Sequence, residues 1–148
     1  MMPINHRRVL MQTGLAWGVA LLAPSARACE IVAANLTIVH PWTRATAEGA
    51  TSAIVCMSFQ DVTQADQLIG LQTPIATGAE MGGDGARPWV SVAIREGQTT
   101  VLGESGPHLR LVGLKTALEV GRSYPMTLSF QKAGSVKATL SVDYERLA

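Results

Sequence analysis

Val136, Ala138, Leu140 and Val142 alternate without a break with Lys137, Thr139, Ser141 and Asp143. A two-residue period sends successive side chains to opposite faces, so this stretch reads as a half-buried β-strand. Ser52 to Phe59 repeats the pattern, with Val55, Met57 and Phe59 on one face and Ile54, Cys56 and Ser58 on the other. Ser123 to Gln131 does so again through Met126, Leu128 and Phe130, and Lys132-Ala133-Gly134-Ser135 then supplies a Gly-containing turn, so residues 123–143 read as a hairpin. No stretch after Cys29 carries a sustained helical period.

Shorter candidates lie at Leu36 to His40, Asp66 to Thr73, Ser91 to Arg95, Gln98 to Leu102 and His108 to Val112. Seven or eight short strands at this spacing predict an all-β chain, a sandwich or small barrel with Greek-key connections. Thr77 to Pro88 holds four glycines and a proline in twelve residues, which predicts an irregular loop and the favoured place for a ligand. Beside it, Trp89 fits either a core side chain under the loop, the preferred reading, or an exposed anchor for a partner. Met57 and Met126 follow strand parity and belong to the core, and His40 reads as a surface or strand-end histidine.

Residues 1–28 read as an export signal rather than as part of the fold. His6-Arg7-Arg8 is a basic start, Val9 to Ala23 is largely apolar, and Ala26-Arg27-Ala28 has the small-x-small form of a cleavage site. The apolar stretch is shorter than the roughly 20 residues a spanning helix needs, so no membrane segment is expected after its removal. Arg7-Arg8-Val9-Leu10 also resembles a twin-arginine signal. Cleavage leaves one domain, residues 29–148, in the periplasm or outside the cell. It removes three arginines and no acid, so the remaining domain is mildly acidic and has no basic footprint for nucleic acid. In an oxidising compartment Cys29 and Cys56 have three fates open: one disulfide, a free buried Cys56, or a lipidated Cys29. Asn35-Leu36-Thr37 matches the glycosylation pattern, a short motif that arises readily by chance.

His40-Pro41-Trp42-Thr43-Arg44-Ala45-Thr46, followed by Gly49-Ala50 and a strand, resembles the N-terminal segment of the PCuAC periplasmic copper chaperones. Gly106-Pro107-His108-Leu109, Gly113-Leu114-Lys115, Leu118, Gly121, Pro125 to Phe130 and Gly134-Ser135-Val136 fall in that family's order and spacing. The resemblance implies a cupredoxin-like Greek-key β-barrel that binds Cu(I), works as a monomer and passes copper to an accepting protein. It also implies a site of two histidines and two methionines. Gly82 stands where the first histidine belongs, Pro88-Trp89-Val90-Ser91 holds no methionine, and His108-Leu109-Arg110 keeps the histidine of a His-x-Met pair without its methionine.

Cu(I) favours thioether, thiolate and imidazole donors. His108 and Arg110 lie two apart on one strand face, so a cation replaces the sulfur. Two unit charges about 4 Å apart repel by roughly 4 kcal/mol at an effective dielectric of 20, so His108 holds copper weakly unless Arg110 turns away. Met81 is the nearest substitute sulfur, so His108 with Met81, completed by a partner's donor, is the candidate copper site; the preferred reading of Met81 itself is a loop cap over the core. The chain lacks a phosphate-binding glycine loop, Cys-x-x-Cys, His-Glu-x-x-His and Gly-x-Ser-x-Gly, so no enzyme class is expected. A metal-free binding module built on the same barrel is the alternative.

Overall fold

The structure, a computed structural model, describes residues 30–147. Ten strands carry these residues, with no helix among them: β1 Glu30–Val32, β2 Thr37–Arg44, β3 Ser52–Gln60, β4 Asp66–Gln72, β5 Ala76–Gly82, β6 Val92–Ile94, β7 Thr100–Leu102, β8 His108–Leu114, β9 Ser123–Phe130 and β10 Gly134–Tyr144. They form one sheet in the order β5-β8-β3-β2-β10-β9-β4-β6, with β1 added to β2 and β7 to β3. The sheet curls on itself as a half-barrel around a single core.

Alternation decides which side chains fill it. Val55, Met57 and Phe59 of β3, Met126, Leu128 and Phe130 of β9, and Ala138, Leu140 and Val142 of β10 are all buried in one cluster with Leu109 and Leu111 of β8. Phe59 meets Phe130 edge to face, 5.9 Å between centroids, a favourable arrangement of ring quadrupoles. The expected hairpin is β9–β10, in register from Gly134 opposite Phe130 to Ser141 opposite Ser123.

β2 is longer than expected because it continues through a proline. Pro41 has no N–H to give the ladder, and His40 before it takes the left-handed region at φ 50°. Pairing with β3 breaks between Val39 and Trp42 and resumes with Trp42 opposite Cys56. Beyond this bulge β2 runs parallel to β10, Ser141 beside Trp42 and Val142 beside Thr43, so the two ends of the domain lie side by side.

The largest departure from expectation is at 77–88. The first half of this stretch is not a loop but β5, paired antiparallel with β8 from Ala76 opposite Leu114 to Gly82 opposite His108. Pairing with a regular neighbour overrides the weak strand propensity of its glycines. Irregular chain is confined to 83–91.

Asp66 is the main buried polar tie. Its Oδ1 accepts the backbone N–H groups of Gln67 (2.7 Å) and Lys132 (2.8 Å), and its Oδ2 accepts those of Ala133 (2.9 Å) and the Asn35 amide (3.0 Å). One carboxylate thus joins the start of β4, the β9–β10 turn and the segment before β2. Asn35 is buried in this arrangement, which leaves no room for a glycan on the folded domain.

Candidate metal centre

His108 opens β8 directly after a tight turn in which Gly103 N–H donates to the Pro107 carbonyl (3.0 Å) and Gly106 N–H to that of Gly103 (3.2 Å). Its Nδ1 lies 3.0 Å from the Gly106 carbonyl oxygen. A carbonyl only accepts, so Nδ1 carries the proton, and Nε2 of the neutral ring keeps its lone pair. The residue is only 8% exposed.

Register determines what surrounds it. On the face that carries His108, Gly82 lies opposite the imidazole and Glu80 opposite Arg110. The Arg110 guanidinium is bonded to the Glu80 carboxylate, so Arg110 is drawn across the sheet to a counter-charge. These residues, with Arg87 and Pro88, line a cleft of about 430 Å³.

Two glycines make the close approach possible. A Cβ on Gly82 would stand 2.4 Å from His108 Nε2, and a Cβ on Gly83, whose φ is +76°, would stand 2.3 Å from the Gly106 carbonyl oxygen. The imidazole therefore lies over the backbone at the position where the resemblance places a histidine. We expect Gly82→Ala to force the ring off the sheet and break its bond to Gly106, at a cost of about 1 kcal/mol. Modification of His108 by diethyl pyrocarbonate should become faster; an unchanged rate would show that the ring is not held by this contact.

Met81 does not share this face. It pairs with Leu109, is 5% exposed and belongs to the core cluster. The structure brings the Met81 backbone to the cleft but sends its side chain inward, away from His108. Adjacent strand residues point oppositely, and the register became readable only once Thr77 to Gly82 was a strand rather than a loop.

Trp89 is 58% exposed, and the core position beside it is taken by Val90. The preferred reading of Trp89 as a core side chain is therefore corrected. His40 is committed to Asp143, with Nε2 to Oδ2 at 2.5 Å.

Cys56 is a buried free thiol, while Cys29 lies outside the described residues. Desolvation first, then the Glu104 charge, push the Cys56 thiol up to about 11, against the Arg44 guanidinium. Metal binding and nucleophilic attack both need the thiolate, so this group is inert. In a chain with Cys29→Ser, Cys56 should resist alkylation at neutral pH and react fully once denatured; rapid labelling of the native chain would contradict its burial.

One group near the site was not singled out in the sequence. Arg44 donates from Nε to Glu104 Oε2 (2.7 Å) and from Nη2 to Oε1 (3.0 Å), a bidentate fork, and from Nη1 to the Glu145 carbonyl oxygen (3.1 Å). The hydrogen bond from Arg44 chiefly holds the Glu104 carboxyl below the usual range; desolvation opposes this, and the charge of Arg44 adds to it. Sixty residues separate the partners, so no local pattern could have joined them. Among the described residues, no group of three or more His, Cys, Asp or Glu side chains is placed to hold a metal ion.

The fold and cleft define a PCuAC-related β-domain. The copper-bound PCuAC domain from PmoF2 matches it with a TM-score of 0.72 at 26% identity, over 78% of this chain and 98% of that one. The apo PCuAC domain from PmoF1 matches with a TM-score of 0.72 at 27% identity, over 78% and 99%. Apo-DR1885 from Deinococcus radiodurans shares the fold at 23% identity, with a TM-score of 0.58 over 95% of this chain and 97% of that one. No curated protein sequence matches. The family model LpqE-like, described as a lipoprotein family, matches residues 36–142. The chain belongs to the LpqE-like family, and its architecture is the cupredoxin-like barrel that the sequence resemblance implied.

Proposed function

We propose that this chain is an exported, non-catalytic copper-chaperone-like protein that holds Cu(I) weakly at His108 and releases it to an accepting protein by ligand exchange. The observation that carries this reading is the imidazole itself. On a PCuAC-type frame, His108 sets Nδ1 against the Gly106 carbonyl and lines the cleft, so that the neutral ring offers its lone pair at Nε2, the arrangement a metal-ligating histidine requires. Binding is weak because the soft donors are few. Arg110 takes the place of one thioether, and Met81 would have to leave the core to supply another, at a cost of about 2 kcal/mol. A shallow site with one protein donor suits transfer, since a recipient's thiolate or thioether adds to the ion before the His108 bond breaks.

Export rests on the signal pattern of residues 1–28, which lie outside the described residues, and is supported by the family's lipoprotein description. No helix among the described residues is long and apolar enough to cross a membrane. Equilibrium dialysis of residues 29–148 against Cu(I) tests the metal reading. Copper should be retained above a background protein and lost in His108→Ala; retention equal to background removes the proposal.

A second reading is favoured by Trp89. A tryptophan 58% exposed beside a cleft is the residue type most enriched at binding hot spots, and it suits a metal-free module that docks a protein through 83–91. Failure of copper retention would leave this reading standing.

A further inference from the structure

We infer that Arg44 is a positioning residue for His108, acting through Glu104 and the turn that follows it. The inference rests on the reading of His108 as the metal donor, and concerns what keeps its Nε2 available.

The turn 103–107 lies between β7 and β8 and supplies the Gly106 carbonyl that accepts the His108 Nδ1 proton. Its internal hydrogen bonds, Gly103 to Pro107 and Gly106 to Gly103, give it a shape. Its two ends are fixed by β7 and β8, both paired with β3, and Glu104 ties the span between them to β2, because both of its carboxylate oxygens are gripped by Arg44. Arg44 is in turn held in place on several sides. Its guanidinium lies 5.3 Å from the Tyr144 ring centroid and 6.0 Å from that of Trp42, and those two rings meet edge to face at 4.8 Å. The third nitrogen donates to the Glu145 carbonyl. The motif around Trp42 and the end of β10 thus form a seat for one cation, and that cation holds the turn that orients the imidazole.

The chemistry explains why the residue is arginine. A planar fork fixes both the position and the plane of a carboxylate, whereas a lysine ammonium is a single rotatable point. If Glu104 is loosely held, the Gly106 carbonyl no longer stays at Nδ1, and the neutral imidazole becomes free to move its proton to Nε2. A protonated Nε2 has no lone pair to offer a metal ion or a hydrogen-bond donor. The ion pair therefore acts on a tautomer, and a merely structural brace would leave that tautomer unchanged.

Nitrogen-15 NMR of metal-free, histidine-labelled protein at about pH 8, where an ordinary imidazole is neutral, reads this directly. His108 resonances are assigned by loss in His108→Gln. In the unaltered chain, Nδ1 should give a pyrrole-type signal and Nε2 a pyridine-type signal. In Arg44→Lys and in Glu104→Gln the two shifts should converge as both tautomers become populated, while His40 stays as it was. Glu104→Gln keeps the size of the side chain and one carbonyl oxygen for Arg44, so it carries the test if Arg44→Lys does not fold. An unchanged His108 signature in a folded variant overturns the inference. Failure of copper binding in the unaltered chain would leave the tautomer result intact, so the two readings fail separately.

Discussion

Asp66→Ala is expected to lower the stability of the domain by about 3 kcal/mol, because it strips the acceptor from three backbone N–H groups at about 1 kcal/mol each. Those of Gln67, Lys132 and Ala133 all end on this carboxylate, and the segment before β2 loses its amide contact through Asn35. For a domain of this size the loss corresponds to a fall in Tm of about 10 °C. Asp66→Asn should rescue little, since its NH₂ group would confront two of the donors that now meet an oxygen.

The same residue sets an acid dependence. Desolvation pushes the Asp66 carboxyl up, but the hydrogen bonds from Asn35, Gln67, Lys132 and Ala133 together outweigh it, and the net shift is below the ordinary value of 3.8. A carboxyl with a depressed folded-state pKa stabilises fully above its unfolded pKa and loses that contribution as pH falls through the folded value. Resistance of the unaltered chain to urea should fall as pH is lowered from about 5 to 3, with a shallower decline in Asp66→Asn. Parallel pH profiles would show that Asp66 does not carry the linkage.

Arg110→Met is expected to raise Cu(I) affinity by about two orders of magnitude, the equivalent of about 3 kcal/mol. Two effects add. The thioether arrives two residues from His108 on the same strand face, and the nearby cation disappears. Glu80 already offsets part of that cation's charge, so the repulsion removed is less than the roughly 4 kcal/mol of an unpaired charge at about 4 Å; the added soft donor supplies the remainder. The variant leaves Glu80 without its partner, which costs stability and not metal affinity, since a carboxylate does not repel Cu(I). A titration in which Arg110→Met binds no better than the unaltered chain would mean that positions 108 and 110 no longer address a common point.

What the sequence revealed, and what it withheld, follow from the range of the interactions. β3, β9 and β10 were legible because Val55 to Phe59, Met126 to Phe130 and Ala138 to Val142 repeat their burial every two residues. β5 was hidden because Gly78, Gly82 and the following Gly83 look like loop chemistry, whereas Gly82 and Gly83 are glycines because His108 and the Gly106 carbonyl approach them closely. β1 is three residues long, too short to display a period. His108 was legible from its motif, and so was its shared face with Arg110. The Glu80 partner of Arg110 and the inward turn of Met81 depend on the β5–β8 register, which a chain read as loop cannot supply. Arg44 and Glu104 meet across sixty residues, and only the fold brings them together.

On the proposed reading, a PCuAC-type frame retains one working copper donor, His108. A Cu(I) competition titration of residues 29–148 and its His108→Ala variant against a chromophoric chelator tests it most directly. The unaltered chain should compete only with a weak chelator, and His108→Ala should not compete at all. Strong competition that survives His108→Ala, or no competition by either chain, would contradict it.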